Sequence, residues 1–270
     1  MNAPKADSHS HHEPVQLHWR DDNHLRINDV DFHLSFDSAT LRTEMSLNED
    51  FLLGKPRHMV ERVVALGAQH TFANILEMGI LKGGSVVLYD QLFSPRKIVA
   101  IDHSPEPVKP LETYVSRRHK RDVVKPFYGV NQADRTVMEA ILAREFPGRD
   151  LNLIVDDASH YYAETRDAFN ISFPYLAPGG HYVIEDWAWA HWAGDTWQRE
   201  QVAALAGKPA LSNLIVEILM LAASRPDFIK DIVIDHNMAI ICKGVRGPAP
   251  GNFDIGEHYL LRGKKFGAWL

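Results

Sequence analysis

The sequence predicts an α/β fold in which helices cover both faces of a doubly wound, mainly parallel sheet. Short apolar segments of strand length alternate along the chain with longer segments of helical periodicity. Most of the apolar segments end in a glycine or in acidic residues, as expected where ligands bind at the carboxyl ends of parallel strands. The last two apolar segments follow each other closely, which predicts an antiparallel edge strand. Alternation of this kind is typical of sheets whose successive strands are joined by crossover helices.

Seven segments have the length and composition of strands. They are residues 73–78, 97–101, 123–128, 151–155, 181–184, 229–234 and 238–242. Helices are predicted at residues 84–92, 134–146, 163–175 and 211–223, and residues 178–180 (Pro-Gly-Gly) form a turn. The basic run Arg117, Arg118, His119, Lys120 and Arg121 follows a helical pattern and is interpreted as a solvated helix end.

The chain divides into four parts. Residues 1–14 are polar and rich in histidine, and we expect a disordered leader, in which His9, His11 and His12 are possible metal ligands. Residues 15–72 have no clean period apart from a possible hairpin at 27–36 and helical spacing at 56–66, and are predicted to form a cap over the site or a dimer arm. The α/β core is assigned to residues 73–244, and the tail 245–270 is expected to pack on the core or on a partner.

Composition excludes several classes of protein. The chain has 270 residues, 45% of them hydrophobic, which suffices for one α/β domain with additions. A net charge of −6 and the lack of a dense basic stripe argue against nucleic-acid binding. The one cysteine, Cys242, lies in an apolar run and fits a reducing cytoplasm. No apolar stretch is long enough to span a membrane, and no apolar signal core is present.

Residues 77–85 (EMGILKGGS) follow the first core strand and open a helix. Their glycines let a ligand approach the backbone closely, but they do not form the G-x-G-x-x-G pattern of dinucleotide binders. Asp102 ends the second core strand, where an acidic residue can accept both ribose hydroxyls. Together these features favour an adenosine ligand without a pyrophosphate, namely S-adenosylmethionine. The alternative is an ordinary α/β turn with a helix-capping aspartate.

The third core strand ends in residues 129–134 (GVNQAD), which either line the adenine edge or place Asp134 as the N-cap of the next helix. The residues assigned to cofactor binding are Glu77, Gly79, Gly83, Ser85, Asp102, His103, Gln132, Asp134 and Asp156.

Two acidic pairs follow neighbouring core strands. Asp156 and Asp157 precede His160 after the fourth strand, and Glu185 and Asp186 follow the fifth. With no basic partner in these motifs, carboxylates on one rim of the sheet would repel one another, and a divalent cation would relieve the repulsion. Ligation by oxygen alone favours Mg²⁺. The sequence therefore predicts that Asp157, Glu185 and Asp186 hold the ion; the alternative is that these residues cap helices or are solvated strand ends.

The ion gives His160 and Asp157 a catalytic role. A bound cation lowers the pKa of a coordinated hydroxyl by several units, so an imidazole suffices to accept the proton near neutral pH. The resulting alkoxide would attack the sulfonium methyl in line.

Residues 187–197 contain four tryptophans. They are predicted to form either a platform on which a sugar stacks or a hydrophobic lid or oligomer contact. The candidate acceptor-binding residues are Tyr161, Trp187, His191 and Trp192.

The motifs EMGILKGGS, IDH, VDDASH and VIEDW resemble those of the class I, Mg²⁺-dependent sugar O-methyltransferases of the cephalosporin-hydroxylase-like and macrolide-glycoside group, and of similar enzymes that methylate polysaccharides. The resemblance covers about half of the chain. It implies a homo-oligomer with the ligands, base and cofactor residues given above. We expect no counterpart of the large N-terminal domain of the macrolide enzymes, so the expected acceptor is a sugar, an oligosaccharide, a methylmannose- or methylglucose-type polysaccharide end, or a glycosylated natural product.

Three other functions compete with this interpretation. A catechol-type methyltransferase has a similar group of metal-binding residues at the strand ends. A resemblance to that type of enzyme, however, would favour an Asp/Asn pair where this chain has Glu185 and Asp186. A non-catalytic cofactor-binding protein would not need His160 beside the carboxylates. An NAD dehydrogenase is disfavoured by the missing glycine pattern.

Overall fold

The structure is a computed structural model that describes residues 15–47, 49–194, 198 and 207–269, without the side chains of Ser38 and Arg42. The predicted leader at residues 1–14, with its histidines, lies outside the described residues, as do residues 195–197 at the end of the tryptophan-rich segment.

A small sheet and two helices precede the core. In chain order they are β1 (Leu17–Trp19), β2 (His24–Ile27), β3 (Val30–Leu34), α1 (Ser38–Thr43), β4 (Asp50–Leu53) and α2 (Arg57–Gly67). β1, β2 and β3 pair antiparallel, and β4 adds to β3 in parallel. The hairpin expected at residues 27–36 is instead formed by β2 and β3, because Asn28 adopts a left-handed conformation (φ 54°) and turns the chain early.

The core alternates strands and helices as predicted. Its elements are β5 (Asn74–Met78), α3 (Gly84–Phe93), β6 (Lys97–Asp102), α4 (Lys109–Arg117), β7 (Val124–Tyr128), α5 (Arg135–Glu145), β8 (Leu151–Asp156), α6 (Tyr162–Ser172), β9 (Leu176–Glu185), α7 (Ser212–Ser224), β10 (Ile229–Ile234) and β11 (Met238–Lys243). Single 3₁₀ turns lie at Phe173–Tyr175, Trp189–His191 and Ile255–Glu257.

The seven core strands form one sheet in the order β10-β11-β9-β8-β5-β6-β7. β7, β6, β5, β8 and β9 are parallel. β11 pairs antiparallel with β9, and β10 pairs antiparallel with β11, so the strand that runs against the others is β11 and lies one place in from the predicted edge. The chain runs from β5 outward to β7 and returns at β8, so strand order reverses between β5 and β8. The crevice above the carboxyl ends of these two strands is the expected ligand site.

Two predicted elements differ from the structure. The helix expected at residues 163–175 ends at Ser172 and continues only as a 3₁₀ turn, because Pro174 cannot donate a helical hydrogen bond. β9 begins at Leu176, before the predicted Pro-Gly-Gly turn, since that turn forms a bulge between the pairs Leu151–Leu176 and Leu153–His181.

The basic run after α4 is not simply solvated. Arg118 donates to Asp29 at 2.8 Å and to Glu49 at 2.9 Å, and Lys120 donates to the buried Asp90 at 2.6 Å. Asp29 lies in the turn between β2 and β3, and Glu49 lies immediately before β4, so this run joins the N-terminal sheet to the core.

The tail packs on the core as far as the described residues extend. Phe253 and Ile255 are buried in the hydrophobic cluster on the α5–α6–α7 face of the sheet. Arg166 of α6 donates to Asp254 at 2.6 Å. No helix within the described residues has the length and apolar character needed to cross a membrane.

Candidate active site

A cavity of about 760 Å³ opens at the carboxyl ends of β5, β6 and β8. Its volume lies in the range of cofactor and substrate pockets. The walls come from the residue 79–85 turn, from the ends of β6 and β7, from the segment after β8, and from the N-terminal cap. Of the residues predicted from the sequence, the cavity is lined by Gly79, Ser85, Asp102, His103, Gln132, Asp157, His160, Tyr161, Asp186 and Trp192.

Gly79 lets the residue 79–85 turn, which is predicted to bind the cofactor, pack closely against the segment that follows β8. Its φ is 101°, and a Cβ there would lie 2.1 Å from the carbonyl oxygen of Asp157. Asp157 in turn donates its N–H to the carbonyl of Met78, at the end of β5. The glycine predicted to serve ligand approach therefore also fixes the position of Asp157 relative to the cavity.

We expect Gly79→Ala to lower the free energy of unfolding by about 2 kcal/mol more than Gly179→Ala, because a side chain at residue 79 collides with backbone. Gly179 is a matched control: its φ is also positive (76°), but nothing lies within 4 Å of its would-be Cβ. Urea denaturation of both variants measures the difference. Equal losses would mean that the close approach at Gly79 is not tightly packed.

Asp102 is held by backbone donors. One carboxylate oxygen accepts from the N–H groups of Ile80 (2.8 Å) and Leu81 (3.0 Å), and the other accepts from Ser104 (2.8 Å). A carboxylate has about four acceptor positions, so capacity for a ribose hydroxyl remains. Asp102 thus orders the cofactor turn and still lines the cavity.

Asp156 lies behind the cavity wall. It is 2% exposed and accepts from the Gln132 amide and the Tyr182 hydroxyl, both at 3.4 Å. Burial, together with the neighbouring Asp157 carboxylate, raises the pKa of Asp156 to about 8. The Gln132 side-chain oxygen accepts from the N–H of Ser159 at 3.3 Å. Asp156 therefore orients Gln132, which lines the cavity, rather than lining it itself.

Three other predicted cofactor residues also lie outside the lining. Glu77 is fully buried in β5, where burial raises its pKa to about 8 although the Ser85 hydroxyl partly offsets the effect. Gly83 is the left-handed N-cap of α3 (φ 83°). Asp134 is the N-cap of α5 and accepts from the N–H of Val137, so the capping alternative describes its place in the structure.

Asp157, His160 and Asp186 converge at one end of the cavity, and each offers a ligand atom within 4.8 Å of those of the other two. β8 and β9 are parallel neighbours with Asp156 opposite Ile184, which brings the two acidic pairs to the same rim as predicted. His160 Nε2 lies 3.7 Å from Asp157 Oδ1. Burial, and then the charge of Asp157, raises the pKa of Asp186 to about 6.

His160 and Asp186 both have left-handed backbone conformations, with φ of 56° and 52°. Such conformations cost free energy for residues other than glycine, and they are concentrated at functional sites. The surroundings hold both residues. The indole N–H of Trp189 donates to the carbonyl of His160 at 2.7 Å, and the N–H of Asp186 donates to the carbonyl of Asn237 at 2.7 Å.

Lys55 corrects the premise that the carboxylates have no basic partner. Its ammonium donates to Asp157 Oδ2 at 2.5 Å and to Glu185 Oε2. Burial by itself lowers the pKa of Lys55, but the Asp157 and Glu185 carboxylates raise it well above its usual value, so the side chain is charged. Glu185 is 1% exposed and meets the lysine rather than the cavity. Lys55 lies about 100 residues before Asp157, and no local pattern in the sequence links the two.

The tryptophan-rich segment contributes unequally to the cavity. Trp192 lines it and meets Phe36 of the cap edge to face, with ring centroids 5.7 Å apart. Trp189, which was not among the assigned acceptor residues, lines it as well. Trp187 donates to the carbonyl of Asp235, and His191 contacts the Ser212 hydroxyl, so neither predicted residue reaches the cavity.

The cap supplies walls that sequence reasoning did not assign to the site. Phe36, Leu41, Leu52 and Gly54 line the cavity together with Lys55. The prediction that residues 15–72 cover the site agrees with these contacts, but the individual residues could not be named because this segment has no clean period.

Comparison with known proteins identifies O-methyltransferases as relatives of this chain. Demethylmacrocin O-methyltransferase of Streptomyces fradiae is 30% identical over 138 residues, which are 45% of this chain and 33% of that protein. Mycinamicin VI 2''-O-methyltransferase of Micromonospora griseorubida is 29% identical over 113 residues, 42% of this chain and 25% of that protein. The matches thus span a third or less of these curated relatives. No family model matches the chain.

Among solved structures, that of a putative caffeoyl-CoA O-methyltransferase from Staphylococcus aureus superposes with a TM-score of 0.51 at 17% identity, covering 70% of this chain and 84% of the other. This likeness shows the fold. The resemblance inferred from the four motifs is confirmed by the sequence relatives: the chain has a Rossmann-like methyltransferase fold and resembles the class I sugar O-methyltransferases.

Proposed function

We propose that this protein is an S-adenosylmethionine-dependent, Mg²⁺-dependent O-methyltransferase that acts on a sugar hydroxyl. The observation that carries the proposal is the convergence of Asp157, Asp186 and His160 at one end of a cavity whose other walls include Gly79 and Asp102. The acidic residues, the proposed base and the turn proposed to bind the adenosine moiety therefore line the same cavity.

The residues present fit a divalent cation. Two buried carboxylate oxygens, Glu185 Oε1 and Asp186 Oδ1, have no hydrogen-bond partner among the described residues. Buried polar atoms without partners are costly, and ligation would satisfy them. Carboxylate oxygens are the donors that Mg²⁺ prefers. Asp157, Glu185 and Asp186 would hold the ion, which when bound makes a coordinated hydroxyl more acidic.

The cavity also fits the cofactor. Gly79, Ser85, Asp102, His103 and Gln132 would bind S-adenosylmethionine, which supplies the methyl group. Asp102 has acceptor capacity left for a ribose hydroxyl, and the glycine leaves the turn open to close approach. Glu77, Gly83, Asp134 and Asp156 would act on this site only through the residues that they support.

His160 is the proposed general base. Its imidazole lines the cavity and can accept the proton of the acceptor hydroxyl near neutral pH. Asp157 Oδ1, 3.7 Å away, stabilises the imidazolium that forms. Trp189 holds the His160 backbone through its indole N–H, which fixes the position of residue 160 beside the cavity.

The proposed acceptor is the sugar of a glycosylated natural product, or a sugar, oligosaccharide or polysaccharide end. The sequence relatives are named for macrolide substrates, and one is named for transfer to a 2''-hydroxyl. Tyr161, Trp189 and Trp192 line the cavity, and aromatic rings are side chains on which the C–H faces of a sugar can pack. By the same resemblance we propose a homo-oligomer, and from the single cysteine of the chain we propose a location in the reducing cytoplasm.

Isothermal titration with S-adenosylmethionine, with and without Mg²⁺, tests the proposal when methyl transfer is then assayed on sugars, macrolide glycosides and catechols. We expect cofactor binding and EDTA-sensitive transfer to a sugar hydroxyl. Transfer restricted to catechols would favour the catechol-type alternative. Transfer that EDTA does not affect would overturn the metal mechanism, and a lack of cofactor binding would overturn the whole proposal.

A further inference from the structure

Lys55 is a buried lysine, unlike the mobile lysines of a protein surface. It lies between the end of β4 at Leu53 and the start of α2 at Arg57, and it is 1% exposed. Its ammonium reaches into the carboxylate cluster and contacts Asp157 and Glu185 together. A buried ammonium is strongly destabilising unless it is paired. Lys55 is therefore kept in this position by the same carboxylates that were assigned to the metal.

The carboxylates around Lys55 carry more negative charge than the lysine balances, so a further cation can be accommodated. Asp157, Glu185 and Asp186 bring three carboxylates, and Lys55 contacts two of them. His160 Nε2 lies 3.7 Å from the other oxygen of Asp157, Oδ1. The lysine thus compensates part of the negative charge when no divalent ion is bound.

The lysine and a divalent ion would bind to the same two carboxylate groups. Asp157 Oδ2 and Glu185 Oε2 both accept from the ammonium, and these two residues are also proposed metal ligands. A monovalent cation held this close to a divalent one raises the free energy of the metal complex by Coulomb repulsion.

We propose that Lys55 is an internal counter-cation that competes with the divalent ion for Asp157 and Glu185, so that it stabilises the metal-free site and weakens metal binding. The inference rests on the metal site of the proposed function. Lys55 is a positioning residue in this scheme: it acts on the reaction only through the carboxylates.

The test measures metal affinity in the absence of cofactor and acceptor. The protein is first freed of metal with EDTA and dialysed. It is then titrated with Mn²⁺, with binding detected by electron paramagnetic resonance, and with Mg²⁺, with binding detected by calorimetry. We expect Lys55→Met to bind the ion at least about tenfold more tightly than the unchanged protein. In EDTA the same variant should melt at a lower temperature, because the buried Glu185 and the partly exposed Asp157 lose their partner, and added metal should restore its melting temperature.

Lys97→Met is the matched control. Lys97 also pairs with a buried carboxylate, Glu145, at 3.1 Å, but it lies at the start of β6, at the end of the sheet away from the cavity. It should lose some stability without a change in metal affinity. Lys55→Gln, which keeps a polar side chain without the charge, repeats the measurement if Lys55→Met does not fold without metal.

Metal affinity that is unchanged or weaker in both Lys55 variants would overturn the proposal, since a merely structural lysine gives that result. This failure is distinct from failure of the proposed function, which is judged by cofactor binding and methyl transfer in the unchanged protein. If the unchanged protein transfers methyl groups with Mg²⁺ but the Lys55 variants bind the metal no more tightly, the proposed function stands and the proposed competition is wrong.

Discussion

Replacing His160 by alanine is expected to lower kcat for methyl transfer by about 10²–10⁴-fold, the usual contribution of a general base. The imidazole lines the cavity, its Nε2 lies 3.7 Å from Asp157 Oδ1, and its backbone is held by the Trp189 indole. Alanine keeps this backbone contact, because Trp189 donates to the carbonyl. The loss should therefore fall on the proton transfer rather than on the shape of the cavity.

The measurement is steady-state transfer to the best sugar acceptor, with S-adenosylmethionine affinity determined separately by calorimetry. We expect cofactor affinity to change little. His18→Ala is the control, because His18 is an exposed residue of β1, in the N-terminal sheet and away from the cavity lining. A His160→Ala protein with unchanged kcat would remove His160 from the mechanism and leave the cofactor assignment intact.

Replacing Asp186 by asparagine is expected to weaken Mg²⁺ binding by on the order of 100-fold and to abolish transfer at limiting metal. Asparagine has nearly the same shape but lacks the charge. Asp186 Oδ1 is buried without a hydrogen-bond partner among the described residues, so ligation of a cation would satisfy this acceptor. The left-handed backbone at Asp186 is retained easily by asparagine, which tolerates that conformation.

Metal affinity is measured by calorimetry on the cofactor-free protein, and transfer is assayed across a range of Mg²⁺ concentrations. Partial recovery at high Mg²⁺ is expected, because Asp157 and Glu185 remain. Asp122→Asn, at an exposed position just before β7, is the charge-matched control. If Asp186→Asn bound Mg²⁺ as tightly as the unchanged protein, Asp186 would not be a ligand.

The core of the fold could be predicted because its signals are local. Apolar runs such as residues 97–101 and 151–155 became β6 and β8 nearly unchanged, since a strand buried in a parallel sheet is apolar along its whole length. The N-terminal sheet could not be predicted in the same way. Its strands have only three to five residues, and a pattern that short is ambiguous.

The same division holds within the site. The sequence by itself determined that Asp157, His160 and Asp186 follow neighbouring strands, because parallel strands place their carboxyl ends on one edge. Only the tertiary structure decided which acidic residues face the cavity: Asp156 and Asp134 do not, although they have the same chemistry as Asp157. It also brought Lys55 to Asp157 across 102 residues of chain. A contact of that kind depends on how the cap packs on the sheet, and packing is decided by the whole core rather than by any local run of residues.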